Sequence, residues 1–262
     1  MSRPIITLTT DFGTDSPYVA QMKGAILSIN PDVNLVDISH AVPPQDIRHG
    51  AMVLADVTGL FPPGSIHVAV IDPGVGTGRE IVYVKMADHH FIAPNNGVLS
   101  LVSKKEPPNM QIEITNAQFW RAEVSSTFHG RDIMGPVAAH LSLGIEPAEL
   151  GEEIEKLNRI SLPEVHLGEN EIRGMIISFD SFGNLITDIT SSMLEFALQS
   201  GSIRVQCGTH RVDDLVGTYG EGMPLSLVAL IGSSGMLELA VVNGNAAQRL
   251  GVEVGEEIRV TW

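Results

Sequence analysis

The sequence predicts an α/β N-terminal domain built on a mainly parallel sheet, followed by a smaller all-β, barrel-like C-terminal domain. Three observations carry this. Over roughly the first 150 residues, short apolar runs alternate with helix-periodic stretches. Ile66-His-Val-Ala-Val-Ile71 is apolar almost without a break, as in a strand buried on both faces of a parallel sheet. Later in the chain come short strands separated by Gly or Asn turns. The 262 residues leave room for two such modules, and the boundary is expected between 1–163 and 164–262.

The elements follow in order. Ile5 to Thr9 reads as a buried strand. Ser16 to Ile29 has helical spacing (Val19, Met22, Ile26, Ile29) and stops at Pro31. Val33 to Ile38 is a second strand. Asp46 N-caps a helix that runs to Leu60 and ends at the Pro62-Pro63-Gly64 turn. After the Ile66–Ile71 strand, Ile81 to Met86 and His90 to Ala93 form a hairpin pair. Asn95-Asn-Gly97 is a turn ahead of a helix over Val98 to Ser103. Asp132 to Leu143 is a helix closed by Gly144. A charged, proline-ended connector spans 148–163. Strands are then expected at Gly174–Phe179, Leu185–Asp188, Ser202–Gln206, Leu225–Ile231, Leu237–Val242 and Glu257–Thr261. Short helices are expected at Met193–Gln199 and Ala246–Leu250.

Composition narrows the partners. There are 31 Asp and Glu against 16 Lys and Arg, a formal charge of -15, so a phosphate backbone is repelled and nucleic acid is not the expected partner. A single cysteine, Cys207, excludes an internal disulfide and any multi-cysteine metal site. The first ten residues lack a signal-peptide pattern, and the longest apolar run, Leu225 to Ile231, is too short to span a bilayer. A cytoplasmic protein acting on a small molecule, without membrane contact, is the expectation.

Several motifs fail on inspection. Gly74-Val-Gly76-Thr-Gly78-Arg79 has Arg where G-x-G-x-x-G needs its last Gly, and it lacks the P-loop Gly-Lys-Ser/Thr ending. Asp11-Phe12-Gly13 matches the kinase triplet in letters, far too early in the chain for a kinase. His89 and His90 are adjacent in a strand and face opposite sides, so they cannot ligate one ion together. No metal or other cofactor is expected.

Three polar residues stand where a site would lie. Asp72 ends the third strand, at the sheet edge where open α/β folds bind ligands. Turn-formers follow it, and Arg79 can fold back toward it. His129 lies at the mouth of the helix near Asp132, where the dipole favours a neutral imidazole. The same spacing also fits a loop-stapling Asp72–Arg79 ion pair with His129 capping a turn. Asp11 sits on the same edge, able to accept from a ribose diol or to cap the next helix. In the C-terminal part, Asp180-Ser-Phe-Gly-Asn184 offers a carboxylate, the Phe182 ring and a carboxamide, which suits adenine or a plain hairpin turn. Glu238 follows the small-residue turn Gly232-Ser-Ser-Gly235.

In seven ordered segments the chain resembles the S-adenosyl-L-methionine (SAM) hydroxide adenosyltransferase family, relatives of the fluorinase and chlorinase. They are Thr9-Thr-Asp-Phe-Gly13, Val36-Asp-Ile-Ser-His40, Asp72-Pro-Gly-Val-Gly76 with Arg79, Pro94 to Leu99, Thr127-Phe-His-Gly-Arg-Asp132, Asp180 to Asn184, and Gly232 to Gly235 with Glu238. The resemblance implies a homotrimer with ligand at the subunit interfaces and the reaction of SAM with water to give adenosine and L-methionine. It implies a catalytic set of Asp72, Arg79 and His129. Asp11 would hold the ribose hydroxyls. Asp180, Phe182 and Asn184 would serve the methionine amine and the adenine, and Ser233 the methionine carboxylate. Glu238 counts with the substrate-binding residues. Arg79 is expected to stabilise a nascent hydroxide, Asp72 to orient Arg79 and the water, and His129 to hydrogen-bond that water and take its proton.

Some positions depart from the relatives. Ser234 stands where the halogenases carry Arg, Gln45 where the fluorinase has Trp, Asn95 where many relatives have Asp, and Gly130 where the fluorinase has its halide-binding Ser. Asp72 stands where halogenases have Tyr, and His129 where they have no His. Hydroxide is therefore expected as nucleophile. A halide adenosyltransferase, or a SAM- or adenosine-binding regulator without turnover, are the alternatives.

Overall fold

The computed structural model describes residues 3–161, 163–199 and 201–262. Met1 and Ser2 at the N-terminus and Leu162 in the charged connector lie outside the described residues. The chain divides into two compact units, 1–161 and 162–262. Among the described residues, no helix is long and apolar enough to cross a membrane.

The first unit contains β1 (Ile5–Thr10), α1 (Tyr18–Leu27), β2 (Asn34–Ser39), α2 (Ile47–Val57), β3 (Ile66–Val70), β4 (Ile81–Met86), β5 (His89–Pro94), α3 (Ser100–Lys105), β6 (Pro108–Glu113) and α4 (Gly135–Ser142). The six strands form one sheet in the order β2-β1-β3-β5-β4-β6. β1 pairs parallel with β2 and β3, and β3 with β5, while β4 runs antiparallel to β5 and β6.

β3 shows why the sheet is sandwiched. Val68 and Val70 enter one core with Leu8, Met22 of α1 and Val137 of α4. Ala69 enters the other core, and so does Ile71 just beyond the strand, with Leu54 of α2, Phe91 and Val102 of α3. Alternate side chains thus serve opposite faces, and both are covered by helices. Each fully buried Leu or Ile contributes about 1.5–3 kcal/mol to holding these layers.

The second unit contains β7 (His166–Leu167), β8 (Glu171–Phe179), β9 (Leu185–Thr190), α5 (Glu195–Gln199), β10 (Arg204–Cys207), β11 (His210–Asp213), β12 (Leu227–Ile231), β13 (Met236–Val241), α6 (Ala246–Leu250) and β14 (Glu257–Thr261). Seven strands run in the order β11-β10-β14-β8-β9-β13-β12, and β7 pairs with β8. Every pairing is antiparallel. A register shift between Ile176 and Ser178 bends β8, which pairs with β14 before the shift and with β9 from Ile176 onward. Val216 N–H donates to the Ala229 carbonyl, joining the chain just past β11 to β12 and nearly closing the barrel. The inward residues, among them Ile176, Leu185, Val205, Leu239 and Ile258, form its core.

The helix expected from Asp132 starts earlier and differently. Gly130–Met134 is a π-turn running into α4. Its cause is Pro136, which has no N–H for the Asp132 carbonyl four residues back. That carbonyl accepts from Arg121 N–H instead, at 2.9 Å, and Gly135 N–H reaches back five residues to Gly130. β6 and β11 were not expected. Both are short, polar strands with few inward apolar residues.

Candidate active site

Asp72 lies two residues beyond the end of β3. The loop after it is built from tight turns, with Val75 N–H on the Asp72 carbonyl and Thr77 N–H on that of Gly74. This returns Arg79 to Asp72. Arg79 Nε lies 2.8 and 2.9 Å from the two carboxylate oxygens, and Nη2 also donates to Oδ2. The side chains are only 11% and 4% exposed. A pair so withdrawn from water adds little net stability, because desolvation offsets its attraction. Its rigidity is the useful property.

His129 is brought to this pair by two close approaches. At Gly76 (φ 76°), a Cβ would sit 2.2 Å from the Ser126 carbonyl, so glycine lets the two loops touch. At Gly130, a Cβ would meet Val70 Cγ1 at 3.0 Å, so the start of the π-turn rests on the end of β3. Asp132 holds the segment from within. Fully buried, it accepts from Arg131 Nε at 2.7 Å, Arg121 Nη1 at 3.1 Å and Ser125 N–H at 2.9 Å. Burial opposes its charge, but the Arg131 fork, the Ser125 N–H and Arg121 outweigh that and hold the carboxyl below its usual range.

Arg79 Nη2 lies 3.1 Å from His129 Nδ1. A guanidinium has no acceptor, so Nδ1 must accept and the ring proton resides on Nε2. Burial, followed by the charge of Arg79, pushes the imidazole pKa below its usual value against the pull of Asp72 and Asp132. The ring is therefore neutral, and among the described residues its Nε2–H has no hydrogen-bond partner. With Nδ1 taken up by Arg79, the other ring nitrogen of His129 carries the hydrogen.

Asp11 follows β1 and is half-buried. Its Oδ2 accepts from Gln45 N–H at 2.8 Å, so Gln45 acts here through its backbone. Phe12, Tyr18 and Phe128 meet edge to face, with the Phe12 and Phe128 centroids 5.5 Å apart, which joins the Asp11 loop to the segment before His129. Asn95 is buried and committed, donating to Glu80 at 2.5 Å and accepting from Asn158 N–H. An Asp there would face Glu80 charge to charge. Asn96 donates to the Ile71 carbonyl and steadies the residue before Asp72. His89 and His90 diverge, to His67 and to the Tyr83 hydroxyl. Among the described residues no cluster of three or more His, Cys, Asp or Glu could hold a metal ion.

In the second unit, Asp180 Oδ1 accepts from Phe182 and Asn184 N–H, and Oδ2 from the Asn184 carboxamide at 2.8 Å. This turn fixes Asn184 and leaves Phe182 74% exposed, unusual for an aromatic. Glu238 is buried and accepts from the Tyr219 hydroxyl at 2.7 Å. Burial raises its carboxyl pKa, and the Asp180 charge adds to this against the Tyr219 hydrogen bond. Tyr219 was not singled out from the sequence, because no spacing rule links it to Glu238. Gly232 makes room for that carboxylate, since a Cβ would lie 1.6 Å from Oε1. Ser233 and Ser234 are exposed in the adjoining turn.

Two family models match this chain: the SAM hydroxide adenosyltransferase N-terminal domain over residues 6–151, and the C-terminal domain over 174–259. The chain belongs to the SAM hydroxide adenosyltransferase family. A relative from Salinispora tropica, named (R)-S-adenosyl-L-methionine hydrolase, is 36% identical over 98% of both chains. One of the same name from Thermus thermophilus is 36% identical, covering 98% of this chain and 99% of that one. A fluorinase from Actinopolyspora mzabensis is more distant, at 27% identity over 99% of this chain and 98% of its own. The crystal structure of an uncharacterized conserved protein from Thermotoga maritima superposes with a TM-score of 0.93 at 33% identity, covering 98% of this chain and all of that one.

Proposed function

We propose that this chain hydrolyses SAM to adenosine and L-methionine by attack of water at the ribose C5′. The observation that carries the reading is the Arg79 guanidinium, held by Asp72 and joined to a neutral His129. The names of the hydrolase relatives specify the (R) form of the substrate, and either epimer at sulfur would give the same two products.

The sulfonium leaves as a neutral thioether, so the departing group needs no acid, metal or other cofactor. The C5′–O bond forms as the C5′–S bond breaks, and that electron pair stays on sulfur. The attacking water becomes acidic as the bond forms and gives its spare proton to solvent. What must be supplied is a nucleophile in line and a field that favours negative charge on it. Arg79 and His129 Nε2–H are both donors, able to stabilise hydroxide character on one oxygen. Asp72 holds the guanidinium in place, and the fixed water gains a proximity advantage.

In this reading Asp11 accepts from the ribose hydroxyls. Asp180, Phe182 and Asn184 serve the methionine amine and the adenine, Ser233 the carboxylate, and Glu238 belongs to the same substrate-binding set. The family resemblance supports a homotrimer with ligand at subunit interfaces. Buried, free Cys207 suits a cytoplasmic setting.

The experiment is a chromatogram of purified protein mixed with each SAM epimer, with and without chloride. Adenosine and methionine in equal amounts support hydrolysis. 5′-Chloro-5′-deoxyadenosine would instead favour the halide reading, against which stands the tight packing of Gly130 on Val70, which leaves little space for a serine. Binding without any product over hours would favour a regulator.

A further inference from the structure

The segment Val36–His40 has no part in the chemistry above, yet His40 is placed against the loop that carries Asp11. Its imidazole Nδ1 lies 2.8 Å from Thr10 Oγ1, and its backbone carbonyl accepts from Gly13 N–H at 2.8 Å. The residue on each side of the Asp11–Phe12 pair is thus tied to one histidine. Thr10 is fully buried and His40 is 8% exposed. The Thr10 hydroxyl also accepts from Phe12 N–H at 3.3 Å.

The far side of the ring meets charge. His40 Nε2 sits 3.1 Å from Asp37 Oδ1, close enough to feel the carboxylate but off the line of a hydrogen bond. Lys23 Nζ holds the other oxygen of Asp37 at 2.5 Å. Asp37 is itself partly exposed, so this end is an electrostatic brace more than a tight bond.

We infer that His40 is a positioning residue that aims the Asp11 carboxylate at the ribose diol through Thr10 and Gly13. This rests on the reading of Asp11 given above. Asp11 spends Oδ2 on the Gln45 N–H, and Gln45 has a left-handed backbone at φ 66°. Among the described residues Oδ1 carries no hydrogen bond. One oxygen is therefore anchored and one is open, and the angle of the open one is set by the turn that His40 grips. A vicinal diol needs that angle, because both hydroxyls donate to one carboxylate. A histidine that merely filled the core would not care which ligand was bound.

Calorimetry on the full chain separates the two roles, with adenosine and 2′,3′-dideoxyadenosine as probes. Wild type should prefer adenosine. His40→Ala and Thr10→Val should each weaken adenosine binding about tenfold, the scale of one hydrogen bond to a charged group, and move dideoxyadenosine less than about twofold. Combining them should add little, since both cut one link. His40→Asn, which keeps a polar atom near the Nδ1 position, should recover most of the loss, and His40→Gln should not. In turnover the change should fall on KM and leave kcat nearly unaltered. If His40→Ala does not fold, Thr10→Val and the Asn and Gln pair carry the test. Equal losses for both ligands, or none, would overturn the positioning role while leaving the proposed reaction intact. A wild-type protein blind to the diol would remove the Asp11 assignment and this inference together.

Discussion

Arg79 Nη2 donates to His129 Nδ1 at 3.1 Å, across fifty residues of chain. Because the guanidinium cannot accept, this single contact fixes the imidazole tautomer and makes Nε2–H the outward donor. His129→Gln can present an amide N–H near the Nε2 position, whereas His129→Ala presents nothing. Adenosine release should fall by about 10²–10⁴-fold in His129→Ala and in Asp72→Ala, on the scale of one positioned catalytic group. His129→Gln should fall less. SAM binding by calorimetry should stay within a few-fold in all three, and wild-type turnover in either alanine variant would remove that residue from the site.

The same contact sets the acid limit of the reaction. His129 is shifted below its usual value, first by burial and then by the Arg79 charge. The ring should stay neutral, and kcat/KM level, as pH drops through 6.5. The rate should fail only at lower pH, where a proton on Nδ1 would confront Arg79. His129→Gln has no such group, so its profile should lack that acid limb.

Gly76 predicts a packing defect with a catalytic consequence. Its φ of 76° disfavours any side chain, and the Ser126 carbonyl leaves no room for a Cβ. Gly76→Ala should cost about 1–3 kcal/mol in denaturant unfolding, and should separate the Asp72–Arg79 loop from the His129 segment. Activity should therefore fall further than stability accounts for at temperatures where the variant is fully folded.

Asp132 is a different case, because its partners are partly wet. Arg121 is 47% and Arg131 24% exposed by side chain. Asp132→Ala should cost about 2 kcal/mol, below the figure for a wholly buried pair, since the freed guanidiniums can turn to solvent. It also releases Ser125 N–H, so the His129 segment should lose order, read as faster amide exchange over 125–131.

His67 governs stability in acid. It is buried between Thr7 and His89, and its pKa falls to about 3, chiefly by burial and then by its histidine neighbours. An unfolded chain would hold a proton there near the usual 6.5. Between those values the unfolded state binds more protons, so stability falls as pH falls through 6.5 toward 3. The loss from this one group is about 2 kcal/mol near pH 5. Urea midpoints from pH 8 to pH 4 should show this slope, and His67→Gln should flatten it.

Which features were legible follows from how local they are. β1, β2, β3 and the α2 cap at Asp46, whose side chain accepts from His49 N–H, rest on neighbours in sequence. β6 was missed because Pro108-Asn-Met-Gln-Ile-Glu113 buries only Ile112, and β11 because only Val212 faces inward. Asp72 and Arg79 are seven residues apart and could be paired by eye. That His129 completes them depends on two glycine contacts that no spacing rule encodes. The Asp180–Asn184 turn was legible as local chemistry, and the Tyr219–Glu238 bond, formed between distant segments, was not.

A π-turn is a coil carrying one residue more than it needs. Deleting one position between Gly130 and Met134 would remove that extra residue at the entry to α4 and swing everything ahead of it by about 100°. The sheet and the helix packing could survive that edit, while the imidazole would be carried away from the arginine. Length in this short stretch is thus under tighter constraint than most of its side chains, and a chain one residue shorter would fold without its nucleophile's support.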